Sequence, residues 1–443
     1  MPYSLLQPVA GCGNVLVVAR FDAELYLRLA GERLLLNGQP NRRGPRGGSP
    51  LNDVAETLVS IGAIPTEAAE VVLQDYELAE ALRQPGRLNH LMVMSQMAPS
   101  ARAESRPFGP WRVATCGRTL EQPWGRLRIH YIVLSDEETT LTATLESNQP
   151  VGRRPMLPFH RPTSPWGGTG PPQLTLTDDR GTTSTAGFSG GGSDKTWQGR
   201  FRTDRPLARD TAWIEVLGER VELGSGVRPA EVRVEPTPEQ SPAIRHLWHR
   251  VAGLGSFPGP PDTLEPVIET LVAAEALAAD DQVIEDARRV AAMLTPQAGP
   301  VAPSSRPLPQ PWQTLVAGLG RTNGPKGSVV VGTATPPIDG CCVAVMRLES
   351  ASDSFTVEVR VRGSAARLPG HHQAGGWIEW WAADDLGNPH LGHLNAGGSA
   401  EELEGEVAFW PPLDPRATQL DLIPTTSTTR AVMAIPLNWD LSS

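Results

Sequence analysis

The sequence predicts an α+β protein built by tandem duplication. Each unit reads as a helical hairpin followed by an antiparallel β-sandwich, Ig-like in its run of short strands, and an extra N-terminal β segment precedes the first. Three observations lead there. Asp178-Asp179-Arg180-Gly181, Gly191-Gly192-Ser193, Gly199 and Pro206-Leu207 recur as Asp384-Asp385-Leu386-Gly387, Gly397-Gly398-Ser399, Gly405 and Pro412-Leu413, every pair 206 residues apart. A fixed offset of this kind is the signature of a repeated structural unit. Glu56-Thr57-Leu58-Val59 recurs as Glu269-Thr270-Leu271-Val272, 213 residues on, and apolar alternation of period two follows each helical stretch, as in half-buried strands.

The chain has 443 residues, room for two to four domains of about 100–200 residues each. It carries 39 basic and 49 acidic residues, a formal charge of −10, which argues against nonspecific nucleic-acid binding, since that needs a basic face to displace counterions from phosphates. Its 43 Pro and 44 Gly predict many turns. Cys12, Cys116, Cys341 and Cys342 show no C-x-x-C spacing and fit thiols better than a secreted disulfide framework. The N-terminus has no basic region followed by a long apolar run, so the expectation is a soluble, cytoplasmic protein with no membrane partner and no cofactor.

In chain order, residues 1–48 form the N-terminal β segment and a basic linker: Val15 to Ala19 reads as a buried strand, and Leu25, Leu27 and Leu29 alternate with Tyr26 and Arg28. Residues 49–104 hold the first helical hairpin and a strand. Ser49 caps, Pro50 takes the first helical position where its missing N–H costs nothing, and Leu51, Val54, Leu58 and Ile61 follow at helical spacing. After Pro65-Thr66 a second helix carries Val71, Val72, Leu78 and Leu82. Residues 105–235 make the first sandwich, 236–309 the helices of unit 2 with Pro-rich linkers, and 310–443 the second sandwich. Asp262 caps the second hairpin, with Glu265 three residues later.

Pro110-Trp111 pairs with Pro311-Trp312, and Gly117-Arg118-Thr119 with Gly320-Arg321-Thr322. Leu141, Ala143 and Leu145 match Phe355, Val357 and Val359 at an offset of 214. The fall from 214 to 206 puts extra residues of unit 1 between Asn148 and Pro172, a Pro- and Gly-dense stretch holding Arg153, Arg154, His160, Arg161 and Trp166. Long ordered loops are more often functional than neutral.

Motifs that suggest chemistry fail on context. Gly187-Phe188-Ser189-Gly190-Gly191 fits G-x-S-x-G, but a nucleophile elbow needs a strand, a sharp turn and a helix, and unit 2 has no serine there. Ser193-Asp194-Lys195-Thr196 puts a carboxylate where a phosphate loop needs glycine. Gly318-Leu319-Gly320 has no helix pattern after it. The Asp-Asp pairs read as turns rather than hard-cation sites, which need six to eight oxygens. His390 with His393, His371 with His372, and His246 with His249 read as structural or solvated.

Tryptophan is the more informative residue. In Trp377 to Ala382, strand alternation sends Ile378, Trp380 and Ala382 to one face and Trp377, Glu379 and Trp381 to the other. The leading expectation is a non-catalytic interaction or scaffold protein that binds a protein partner through sandwich-end loops, including Arg153, Arg154, His160, Arg161 and Trp166, and through the aromatic face of Trp377, Glu379 and Trp381. The alternative is a carbohydrate-binding or glycan-processing protein in which Trp377 and Trp381 stack on sugars. A hydrolase centred on Ser189 comes third.

Overall fold

A computed structural model describes residues 21–36, 50–83, 108–148, 173–192, 195–225, 227–238, 240–256, 264–294, 306–363, 378–398, 402–426 and 428–439. Within them the protein is α+β, with N-terminal helices, two antiparallel barrel-like sheets and helices between. The first helices are α1 (Ala23–Leu36), α2 (Pro50–Ser60) and α3 (Thr66–Arg83). The stretch Leu25 to Leu29, read above as a strand, is therefore helical. Ala23, Leu27 and Gly31 repeat every four residues and are the buried positions, so a helical stripe decides the conformation and the intervening leucines only imitate alternation. Residues 15–19, Ser49 and Asp262 lie outside the described residues.

The first sheet holds β1 (Trp111–Gln122), β2 (Gly125–Ser135), β3 (Thr139–Ser147), β4 (Gln173–Asp178), β5 (Thr183–Gly192), β6 (Thr196–Thr203), β7 (Trp213–Val216) and β8 (Glu219–Glu222). Their order is β1-β2-β3-β6-β5-β4-β7-β8. After β9 (Glu231–Pro236) come α4 (Pro242–Ser256), α5 (Glu265–Ala273), α6 (Gln282–Leu294) and α7 (Trp312–Ala317). The second sheet adds β10 (Gly327–Ala334), β11 (Cys342–Ser350), β12 (Phe355–Arg362), β13 (Glu379–Asp384), β14 (Pro389–Gly398), β15 (Glu402–Trp410), β16 (Gln419–Thr425) and β17 (Thr429–Pro436). Its order, β10-β11-β12-β15-β14-β13-β16-β17-β9, repeats that of the first sheet and extends it by β9.

Each sheet curls almost shut. Gly224 N, just past β8, donates to Thr115 O of β1 at 2.8 Å, and Arg228 N, just before β9, donates to Val330 O of β10 at 2.8 Å. An Ig-like sandwich instead sets two separate sheets face to face; here one continuous ladder per unit wraps its own core. Closure removes the sheet edges that an open sandwich would expose. The first barrel is filled by Leu127, Ile129, Leu141, Leu145 and Phe201 among others, the second by Val345, Val357, Phe355, Trp380 and Phe409.

The registers correct the alignment of the copies. Ala143 faces Gly199 across β3 and β6, and Val359 faces Gly405 across β12 and β15. Gly199 and Gly405 are the 206-offset pair, so Ala143 corresponds to Val359, 216 residues on rather than 214. One bulge lies between Ile129 and Tyr131 of β2, and its match lies between Val345 and Arg347 of β11. Another interrupts β1 between Thr115 and Arg118 and β10 between Val330 and Thr333. In it Gly117 (φ 51°) and Gly332 (φ 62°) take the left-handed conformation that favours glycine. Gly332, not Gly320, is thus the partner of Gly117. Trp111 starts a strand and Trp312 starts a helix, so that pairing was a chance match. Pro236, placed above at the start of a linker, ends β9, and the whole of β9 pairs with β17.

The helical hairpins repeat in detail. Thr57 Oγ1 donates to Asp53 O at 2.6 Å and Thr270 Oγ1 to Pro266 O at 2.7 Å. Both helices then end in a left-handed residue, Gly62 (φ 71°) or Glu275 (φ 56°), which turns the chain so that Ala63 N reaches Leu58 O and Ala276 N reaches Leu271 O. Helix α5 starts at Glu265 with Leu264 at the cap and no side-chain cap bond. The helices α2 and α5 pack on each other, and Arg250 of α4 reaches Asp53 and, at 3.3 Å, Glu56 of α2.

The barrels meet by their outer faces. Tyr131 and Val133 of β2 pack on Ala344 and Met346 of β11. Beside that patch Arg200 Nε bonds Glu358 Oε1 at 2.9 Å and Arg200 Nη1 lies 3.0 Å from Glu404 Oε2. Arg360 pairs with Glu138 and Glu404, and Arg202 Nε lies 2.8 Å from Glu138 Oε2. Burial alone would push the Glu358 carboxyl up, but Arg200 and Arg347 hold it below the ordinary range. Removing one partner of such a group strands the others out of water. Arg360→Ala is expected to lower stability by about 3–5 kcal/mol, read by denaturant unfolding; a change within the ordinary surface range would show that the network bears no weight.

Candidate functional site

Strand β13 places the predicted aromatic face. Its pleat turns Ile378, Trp380 and Ala382 into the second barrel core and Glu379 and Trp381 outward, as alternation requires. The outward side is covered within the chain. Trp381 meets Trp312 of α7 edge-on at 5.8 Å between ring centroids, and Trp312 stacks on Trp248 of α4 at 5.0 Å. Leu391 and Trp410 join the same helix–barrel core. Glu379 is half-buried. Trp377, and the loop residues Arg153, Arg154, His160, Arg161 and Trp166, lie outside the described residues.

The groups that suggested chemistry hold backbone in place. Asp178 Oδ1 accepts from Arg180 N at 3.0 Å and Thr182 N at 2.7 Å; Asp384 Oδ1 accepts from Leu386 N at 3.1 Å and Asn388 N at 2.8 Å. Gly181 (φ 81°) and Gly387 (φ 83°) complete the two turns. The second aspartate of each pair ties down the connection after β6 or β15: Asp179 Oδ2 accepts from Ala212 N at 2.8 Å and Asp385 Oδ1 from Thr418 N at 3.1 Å. Bonds from Thr418 hold the Asp385 carboxyl below its usual range.

His390 does in unit 2 what Ser184 does in unit 1. The ring Nδ1–H donates to Pro411 O at 2.7 Å, and the Ser184 hydroxyl donates to Arg205 O at 2.8 Å, 206 residues earlier. His246 is buried with Nε2 at 3.1 Å from Thr57 Oγ1, and His393 faces α4 from β14. Ser189 is exposed in the middle of β5, opposite Arg200 of β6, without the turn and helix of a nucleophile elbow. His371, His372, Ser193 and Asp194 lie outside the described residues. Among the described residues there is no group of three metal-ligating side chains, and no helix is long and apolar enough to cross a membrane.

One surface went unread in the sequence. Helices α1 and α3 run side by side in the same direction, joined midway along each by Arg28 Nη1–Asp75 Oδ2 at 3.1 Å and at their ends by Arg83 Nη1 on Leu35 O at 2.6 Å. Gly31 permits the contact, since a Cβ there would sit 2.9 Å from Tyr76 Cδ2. Leu27, Leu51, Leu58, Val72, Leu73 and Tyr76 form the core beneath. Among the described residues nine large apolar side chains are exposed, and six of them belong to these two helices: Leu25, Leu29 and Leu36 on α1, and Val71, Leu78 and Leu82 on α3. The spacings of four and seven put each trio on one side of its helix, opposite the core. Of the apolar positions assigned to α3 from sequence, Val72 is buried and Val71, Leu78 and Leu82 are not. The Ala23, Leu27, Gly31 stripe was the signal that would have separated the two faces of α1.

No protein-family model matches the chain, and no curated protein does. A solved structure, described as the conserved domain protein from Bacillus anthracis, is similar over 70% of this chain and 77% of its own, at 13% identity and a TM-score of 0.17, a likeness that carries no argument.

Three histidines make the fold sensitive to mild acid. Burial is the main cause that lowers His246 to about 3, His130 to about 4 and His393 to about 4. Unfolded, each returns to about 6.5, so the unfolded chain binds protons that the folded one refuses. Their stabilising share is complete above that value and is lost as pH falls toward 4. Glu70 and Glu406, pushed up by burial, act in the opposite sense through smaller shifts. The melting temperature is expected to fall from pH 7 to pH 5; a flat or rising profile would contradict the neutral, buried state of these rings.

Proposed function

We propose that the chain is a non-catalytic interaction or scaffold protein that binds a protein partner through the apolar face of α1 and α3. The placement of five exposed leucines and one valine on two adjacent helices carries this reading. Single exposed apolar side chains are ordinary, but a contiguous group on one face marks association. The barrels support it as frame: the acids that both copies retain bond to their own turns, and the copies differ on the surfaces they turn outward. The two units are copies of one duplicated unit in this reading, as their repeated strand order and hairpin geometry suggest.

The sugar-stacking alternative is less favoured, because Trp381 is half-buried and meets Trp312 edge-on within the chain.

Leu29→Ser combined with Leu78→Ser tests the proposal. Exposed positions of this kind change stability within about 0.5 kcal/mol, so the melting temperature should hold. A polypeptide that co-purifies in stoichiometric amount with the tagged wild-type chain should be lost from the variant. Retention of that polypeptide at wild-type yield would overturn the placement of the binding face.

A further inference from the structure

We infer that the partner seated on the α1/α3 face is an amphipathic helix whose apolar side is edged with lysine and arginine. The inference rests on the reading above and names the occupant of that same face.

Unit 2 covers the flank that corresponds to this face. Helices α1 and α4 correspond at an offset of 220: Ala23 with Ala243, Leu27 with Leu247, Gly31 with Val251, all buried. At that offset Leu25, Arg28 and Leu29 fall on Arg245, Trp248 and His249. In unit 2 this flank is closed by the protein itself. Helix α4 packs on β14, Trp248 stacks on Trp312, and His249 lies close enough to His393 of β14 to lower its proton affinity. The barrel residues that complete that contact are Trp381, Leu391 and Trp410. Their counterparts 206 residues earlier are Thr175, Thr185 and Asp204, and Thr175 and Thr185 are exposed. Barrel 1 has therefore lost the apolar side that would cover α1, while α1 carries leucine where α4 carries arginine and histidine. Among the described residues nothing covers this face, and its cover is assigned to another molecule.

Charge and shape select the molecule. Glu80 of α3 is buried, but Glu67, Glu70, Asp75 and Glu77 remain at its surface against one arginine, Arg83, and α1 is balanced at two of each. A second copy seated on the face would bring acid against acid, whereas a basic edge is complementary. Two parallel apolar stripes at helical spacing offer a seat to a third helix by its apolar positions. With 14 residues in α1 and 18 in α3, the face is about 21–27 Å long, the length of an equally short helix.

Fluorescence anisotropy with the full chain and labelled synthetic peptides of about 18 residues decides the matter. One peptide has leucine on one helical face and lysine at its edges, a second scrambles that sequence, and a third replaces lysine by glutamate. The first is expected to bind at least about tenfold more tightly than the other two. Leu29→Ser with Leu78→Ser should abolish binding, and Glu32→Lys with Glu77→Lys should weaken it about tenfold at an unchanged melting temperature. Equal binding of the scrambled peptide, or indifference to the leucine changes, overturns the inference. So does sedimentation of the wild-type chain as a dimer that the leucine changes dissociate. If no peptide binds but partner capture still depends on Leu29 and Leu78, the chemistry assigned to the partner falls and the binding face stands; if capture is also indifferent, both fall.

Discussion

Glu138, Glu358 and Glu404 meet Arg200, Arg202 and Arg360 where the outer faces of two barrels touch. Outer faces of a barrel ordinarily look at water, and their charges are solvated there. Pressed together, these charges must find each other, because an ion held out of water without a partner costs several kcal/mol. Unit 1 contributes Gln198 and Arg200 at positions where unit 2 has Glu404 and Glu406. A duplicated surface can meet its twin in many ways; opposite charges at matching positions permit few of them. The apolar contact of Tyr131 and Val133 with Ala344 and Met346 supplies attraction, and the ions supply register.

What sequence reveals here is local. Asp-Asp-x-Gly turns, the helix pairs and the alternation of Phe355, Val357 and Val359 can be read because a few neighbouring residues determine them. Barrel closure cannot, since alternation looks the same in an open sandwich and in a closed ladder; closure depends on Gly224 meeting Thr115 and Arg228 meeting Val330. Bulges spoiled the alignment of copies by the same logic. A residue added to a strand shifts the numbering without altering the pattern on either side, so an offset of 216 was read as 214. In α1, leucine at so many positions satisfies both a two-residue and a four-residue period, and glycine at Gly31 hides a core position from any count of apolar side chains.

The candidate surfaces were legible to different degrees. Alternation placed Trp380 inward and Trp381 outward correctly, but outward from a barrel is not outward from the protein, and Trp312 and Trp248 arrive from elsewhere in the chain to cover it. For α3 the sequence shows apolar residues on two sides and does not say which side faces a core. The copies diverged in a related way: an aromatic column binds helices to barrel in one unit, and threonines stand in its place in the other.

The chain between Gly224 and Pro236 belongs to both barrels, closing the first at one end and supplying the ninth strand of the second at the other. This imposes an order on assembly at the ribosome. Strand β9 is made before every other strand of its own barrel, and its partner β17 (Thr429–Pro436) after all of them. Through that interval it waits as an unpaired strand, the kind of edge on which nascent chains stick together. Its sequence suits the wait. Glu231, Arg233 and Glu235 alternate with Val232 and Val234, so an intruding strand of another chain meets alternating charge until β17 arrives with Arg430 to pair with Glu235.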